Sequence, residues 1–251
     1  MHLSNYHSHC SFCDGRSMPE EFVKFALAKS FRAYGISSHG PLPFETFWNM
    51  SAFDIPEYLV EISRLKEKYQ GHLEIYTGME IDYLDTTYNP SIPYFQNLPL
   101  DYRIGSVHFL PIATELCEAN MVCIDGPFSE FKKAVDTYFE GDIRKMVKRY
   151  YESSIRMVEL GGIDIVGHLD KIYMNGQRCK DFSFTAPWYR NKVNEYLEVI
   201  AGKGLIVEIN TKNLLKKQQT FPRQEYLSRM RELQIPVMVN SDCHTPDLVN
   251  D

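Results

Sequence analysis

The stretch Leu3-Ser4-Asn5-Tyr6-His7-Ser8-His9 opens with a strand-sized run, Leu3 to Tyr6, and ends in two histidines one residue apart. Side chains alternate between the faces of a strand, so His7 and His9 point to the same side and can serve one cation. The same design recurs to the end of the chain. Apolar runs at residues 33–37, 73–78, 102–107, 163–166, 205–209 and 235–239 are each followed by His, Asp, Glu or Asn. The residues in those places include His39, Glu80, His108, His168, Asp242 and His244. Any one such histidine reads as an ordinary hydrogen-bonded side chain; the recurrence after successive strands points to a site holding several metal ions. His2, near the terminus, and His72, in a Gln-Gly-His turn, fall outside the pattern.

Between the runs lie segments of helical period at residues 19–31, 55–69, 131–160, 188–203 and 222–233. Pro19, Glu20 and Glu21 open the first where a helix dipole favours them, and Gly161-Gly162 and Gly202/Gly204 close two others. Residues 82–101 and 109–127 lack such a period and read as irregular connections, the second as an active-site loop. Strand and helix alternate, so the fold class is α/β with a mainly parallel sheet. Seven strands with ligand-type residues at their ends favour a closed or nearly closed barrel, in which strand C-termini converge on one mouth. An open doubly wound sheet is the alternative. At 251 residues the chain can bury one sizeable core, which predicts a single domain over residues 1–251.

The formal charge of −6 argues against a nucleic-acid partner, which needs clustered Lys and Arg. No apolar stretch is long enough for a membrane span, so a cytoplasmic setting without a membrane partner is expected. The oligomeric state is not legible. Six cysteines at irregular spacings read as reduced thiols. Cys10 and Cys13 form a C-x-x-C pair, a weak signal for zinc or redox chemistry.

Asp14, just before Gly15, can return from its loop to the mouth. Glu80 is the candidate to bridge two cations through its two oxygens, with Asp82 on the same face as a weaker alternative. Glycines at 105 and 167 are expected to leave room for an ion or substrate beside His108 and His168.

Together the segments YHSHCSFCDG (6–15), SSHGPLPF (37–44), GMEIDY (78–83), DYRIGSVHF (101–109), IVGHLD (165–170), EINT (208–211) and VNSDCHTP (239–246) closely resemble the polymerase-and-histidinol-phosphatase (PHP) superfamily, and within it the histidinol-phosphate phosphatases. The resemblance runs from Tyr6 to Pro246 and implies a distorted seven-stranded (β/α)7 TIM-like barrel with three divalent metal ions: zinc, iron or manganese. It implies that His7, His9, Glu80 and Asp242 hold one ion, Glu80, His108 and His168 a second, and Asp14, His39 and His244 a third. The implied reaction is hydrolysis of a phosphomonoester, L-histidinol phosphate, by a bridging hydroxide, with Glu80, Asp242 and His244 catalytic and Asp242 or His244 protonating the leaving alkoxide.

The family's arginine after the EINT segment is replaced by Leu215, so Ser106, Lys171, Arg178, Lys216 or Arg223 would have to hold the substrate phosphate. Each basic residue among these reads more readily as a solvated charge, and Tyr102 and Phe109 read as core. The departure keeps open another small phosphomonoester, a nucleic-acid end, or a metal-binding module without catalysis. A final helix is expected beyond the last strand and has no counterpart in the sequence.

Overall fold

The computed structural model of the chain describes residues 3–180 and 182–249. Its strands are β1 (Leu3–Asn5), β2 (Phe31–Ile36), β3 (Glu74–Asp82), β4 (Tyr102–Ser106), β5 (Phe109–Pro111), β6 (Met121–Cys123), β7 (Ile165–Val166), β8 (Ile206–Asn210) and β9 (Val237–Asn240). The helices are α1 (Pro19–Ala28), α2 (Ile55–Lys68), α3 (Pro93–Gln96), α4 (Phe128–Tyr138), α5 (Ile143–Leu160), α6 (Tyr173–Gly176), α7 (Pro187–Lys203), α8 (Leu214–Lys217) and α9 (Leu227–Glu232).

Seven parallel strands lie in the order β1-β2-β3-β4-β7-β8-β9, and β5 and β6 form a separate antiparallel pair. Beyond their formal ends β1 and β9 meet: Ser8 bridges Cys243, and the His9 N–H donates to the Cys243 carbonyl at 2.9 Å. Below that bridge Asn5 ties the seam, donating to Ser241 Oγ at 3.0 Å and accepting the Ser241 N–H at 3.0 Å. The seam makes the sheet a nearly closed barrel and excludes the open alternative.

The helices form because their apolar residues recur with helical spacing. In α1, Pro19, Phe22, Val23 and Ala26 form the buried stripe, while Phe25 is partly exposed. The expected helix over residues 131–160 is two helices. Gly141, with φ of +72°, ends the link after α4, and the Asp142 carboxylate caps α5 by accepting the Arg144 N–H at 2.9 Å. Residues 82–101 and 109–127 likewise carry α3 and the β5–β6 pair. Gly161 and Gly204, both at positive φ, stop α5 and α7 as expected.

Tyr6, Tyr76, Tyr102, Ile104, Ile165, Ile206 and Met238 pack together inside the barrel. Tyr102 sits where Gly35 and Gly78 leave space; a Cβ on Gly78 would lie 2.2 Å from its ring. Its hydroxyl donates to the Tyr6 carbonyl at 2.6 Å. This plug closes the barrel below the mouth, so polar side chains higher on the strands face one another and the opening.

Candidate metal centre

Inward-pointing residues two apart form the top of the barrel: His7 and His9, Glu80 and Asp82, Ser106 and His108, Glu208 and Asn210, Asn240 and Asp242. All of them are buried. His7 Nδ1 lies 2.5 Å from Glu208 Oε1, which turns Nε2 toward Glu80 Oε2 at 3.2 Å. Burial opposes the His7 imidazolium, but Glu208, Glu80 and Asp242 outweigh it and hold the pKa well above its ordinary value. Glu208 also accepts the His168 backbone N–H at 2.9 Å and the side-chain amides of Asn210 and Asn240 at 3.0 and 3.1 Å. It fixes three elements of the site at once.

His9 Nε2 stands 3.2 Å from Asp242 Oδ1 and 3.5 Å from Glu80 Oε2. Burial, with His39 and His244 nearby, holds His9 well below its ordinary pKa. The chain then doubles back, because the Cys13 and Gly15 N–H groups both donate to the Cys10 carbonyl. A Cβ at Gly15 would lie 2.1 Å from the His9 carbonyl oxygen, so only glycine fits the turn. The turn returns Asp14 to the mouth, with Oδ2 3.3 Å from His244 Nε2 and Oδ1 4.0 Å from His39 Nε2. The C-x-x-C pair belongs to this turn. Burial pushes the Cys10 and Cys13 thiols up to about 11 and about 12, and the cysteines among the described residues form no disulfide.

Glu80 is the centre of the arrangement. Its Oε2 is 3.0 Å from His39 Nδ1, and its Oε1 accepts from Ser106 Oγ at 2.6 Å and lies 2.9 Å from His168 Nε2. His108 is held by Asp82, whose Oδ1 takes the His108 backbone N–H at 2.9 Å and faces Nδ1 at 3.1 Å. That leaves His108 Nε2 aimed at His168 Nε2, 3.1 Å away. Asp82 therefore orients a histidine and takes no part in Glu80's place. His168 and Asp242 have positive φ, 21° and 49°, backbone conformations that non-glycine residues adopt rarely.

Several buried polar atoms in this cluster have no hydrogen-bond partner: His7 Nε2, His9 Nε2, His39 Nδ1, Glu80 Oε2, Asp14 Oδ1 and His168 Nδ1. Leaving a buried polar atom unpaired costs about 1–3 kcal/mol each, so such a concentration fits a cation that uses the lone pairs. Among the described residues three groups can hold an ion, with the ligand atoms of each within 4.8 Å of one another: His9/Asp14/His39/His244, His7/His9/Asp242 and His39/Glu80/His108. These overlap the expected sets, with Glu80 absent from the His7 group, His9 added to the Asp14 group and His39 standing where His168 was expected. A mixed set of imidazole and carboxylate donors suits a divalent cation and selects no one metal sharply.

The cluster opens into a cavity of about 360 Å³ lined on the metal side by Asp14, His39, Glu80, His108, Asp242 and His244. Trp48 forms one wall, edge-on to His39 at 4.5 Å and stacked on Phe109 at 5.5 Å. Phe109 is thus a wall residue, whereas Tyr102 is core. Asp125, Glu118 and Glu130 face the cavity from the 109–130 segment.

Of the expected substrate contacts, only Lys171 lines the cavity, with Nζ 3.6 Å from Asp125 and 3.9 Å from Asp242. Ser106 is committed to Glu80. Arg178 lies over the Phe128 ring at 3.9 Å. Arg223 packs on Tyr173, pairs with Glu225 and lines a separate surface groove. Lys216 is exposed and outside the cavity lining. These three are bound by local partners or turned away, which sequence position alone does not reveal. Gly105 and Gly167 make room for protein: a Cβ there would strike Ile163 and Ser106. Sequence reading missed Glu208, Asp125, Trp48 and Lys212; only Glu208 had a signal, a carboxylate inside an otherwise apolar strand.

The PHP domain model matches residues 5–212. The chain belongs to the PHP domain family. Curated relatives include the histidinol-phosphatase of Bacillus subtilis, 28% identical, with the match covering 95% of this chain and 92% of that protein. The "probable histidinol-phosphatase" of Deinococcus radiodurans is also 28% identical, with 97% and 87% covered. Among solved structures, HisK of Listeria monocytogenes superposes with a TM-score of 0.86 at 23% identity, over 99% of this chain and 97% of that one. The histidinol phosphate phosphatase of Lactococcus lactis, solved with zinc, L-histidinol and phosphate, gives 0.73 at 22%, over 97% and 86%. The PHP barrel here is that of the HisK structures.

Proposed function

We propose that this PHP protein is a metal-dependent L-histidinol-phosphate phosphatase, a phosphoric monoester hydrolase of histidine biosynthesis working in the cytoplasm. The observation that carries the reading is the set of unpartnered buried nitrogens and oxygens around Glu80, opening into a cavity with cationic, acidic and aromatic walls. Two relatives with that name at 28% identity over nearly the whole chain support the substrate. The zinc bound by the Lactococcus relative makes zinc the first metal to test, with iron and manganese next.

His7, His9, Asp14, His39, Glu80, His108, His168, Asp242 and His244 would hold three divalent ions. Bound there, the ions supply positive charge for the phosphoryl oxygens and acidify a water for attack. The chain does the rest. Glu208 and Asp82 fix the tautomers of His7 and His108, so that their Nε2 atoms stay available. Lys171, buried at the cavity wall, adds a fixed positive charge beside Asp242. Burial raises the Asp242 carboxyl, yet Lys212, His7, His9 and Lys171 outweigh it and keep it ionised. An ionised Asp242 has no proton to give the leaving alkoxide, and His244, an expected ion ligand whose Nδ1 lies 3.1 Å from the Asp242 carbonyl oxygen, would have none free, so a water acidified at the site is the better donor. Trp48 and Phe109 offer flat apolar surface to an imidazole, and Asp125 a carboxylate to an ammonium.

A panel of phosphomonoesters including histidinol phosphate, run with metal analysis on the same sample, tests this. Phosphate release from histidinol phosphate above the other esters, abolished by chelation, is expected. Turnover of other esters with none for histidinol phosphate would refute the substrate assignment.

A further inference from the structure

The segment after β8 carries Lys212 ahead of α8 and Leu215 and Lys216 within it, and directs them differently. Leu215 is 71% exposed and Lys216 is exposed, but Lys212 turns inward to line the cavity. Its Nζ lies 3.1 Å from Asp242 Oδ1 and 3.4 Å from His244 Nε2. Among the described residues the cavity lining contains two lysines, Lys171 and Lys212, and no arginine.

The two lysines are not equivalent. Lys171 is buried and held between Asp125 and Asp242 Oδ2. The side chain of Lys212 is 38% exposed, and its ammonium rests on two atoms that belong to the candidate ion-holding groups. A lysine ammonium and a divalent cation cannot both occupy the space in front of Asp242 Oδ1 and His244 Nε2, since their charges repel and both need the same lone pairs. The backbone anchors the base of the side chain: the Lys212 N–H donates to Asn210 Oδ1 at 3.1 Å, and Asn210 donates to Asp242 Oδ2 at 3.0 Å. Displacement therefore swings the flexible four-carbon stem about a fixed origin beside Asp242, within the cavity mouth.

We propose that Lys212 is a phosphoryl-gripping residue of this site, an ammonium that lies against Asp242 and His244 and turns to the substrate's phosphoryl oxygens when the neighbouring ions take those two side chains. The role as a phosphoryl grip rests on the phosphatase reading. It assigns the missing cation of the loop to a residue three positions before Leu215, on the inward side of the chain.

The test uses the zinc-loaded protein and inorganic phosphate as the probe, with titration calorimetry. Lys212→Met should raise the phosphate Kd at least about tenfold, the loss of one charge-assisted hydrogen bond, while Lys212→Arg stays within a few-fold of the parent. Zinc titration of the metal-free proteins should show Lys212→Met binding its weakest zinc at least as tightly as the parent, because the competing ammonium is gone. An unchanged phosphate Kd in a folded Lys212→Met protein, or weaker zinc binding in it, would overturn the proposal. If the parent releases no phosphate from histidinol phosphate but Lys212→Met still weakens phosphate binding, the substrate assignment fails and Lys212 keeps its role.

Discussion

Glu208 Oε1 stands 2.5 Å from His7 Nδ1, and this contact decides which nitrogen of His7 faces the site. A carboxylate behind an imidazole fixes its tautomer and raises its basicity as a ligand. Glu208→Gln keeps the shape but loses the charge, so zinc affinity should fall about 10- to 100-fold with little change in fold. Competition against a chromogenic chelator measures it; parent-like affinity would show that Glu208 only packs.

Glu80 reaches His7, His9, His39, His168 and Ser106. Glu80→Gln should lose more metal than Glu208→Gln, beyond about 100-fold for at least one ion, and turnover with it. Metal content by mass spectrometry and phosphate release on one preparation check this. Full metal content with full turnover would remove Glu80 from the centre.

The pH behaviour of the metal-free protein follows from His108. Burial opposes its charge, but Asp82 and Glu80 outweigh burial and raise its pKa to about 9. A folded pKa above the unfolded 6.5 means the stabilisation is fully present below pH 6.5 and is lost as pH rises through about 9. Metal-free protein should therefore become less stable between those values. Metal binding should displace that proton, and the number released should fall as pH approaches 9. Calorimetry in buffers of different ionisation enthalpy counts the protons; none released at pH 7 would contradict the site.

The barrel plug gives a prediction independent of metal. Gly78→Ala places a Cβ against the Tyr102 ring and should cost about 1–3 kcal/mol, a loss of several degrees in Tm. A thermal melt of the chelated protein reads it, and an unchanged Tm would mean that Tyr102 has room to move.

The strands and the inward residues were legible in sequence because period-two alternation and apolar runs are local properties. His7 and His9 read correctly as a pair on one face for that reason. Residues whose role depends on distant partners were not: Glu208 reaches His7 across the barrel, and Arg178 and Arg223 are drawn to Phe128 and Tyr173 instead of the cavity. Lys212 faces the cavity and Leu215, on α8, faces out, and nothing in the sequence marks which way the segment turns. The break between α4 and α5 had a signal in Gly141-Asp142, a positive-φ glycine before a cap, that helical periodicity on either side concealed.

The most direct test of the account is phosphate release from L-histidinol phosphate by protein stripped with chelator and reloaded with zinc, with bound metal quantified. The account predicts no activity in the stripped protein and recovery that tracks zinc up to about three equivalents. Activity that survives complete metal removal, or no release at full zinc occupancy, would contradict it.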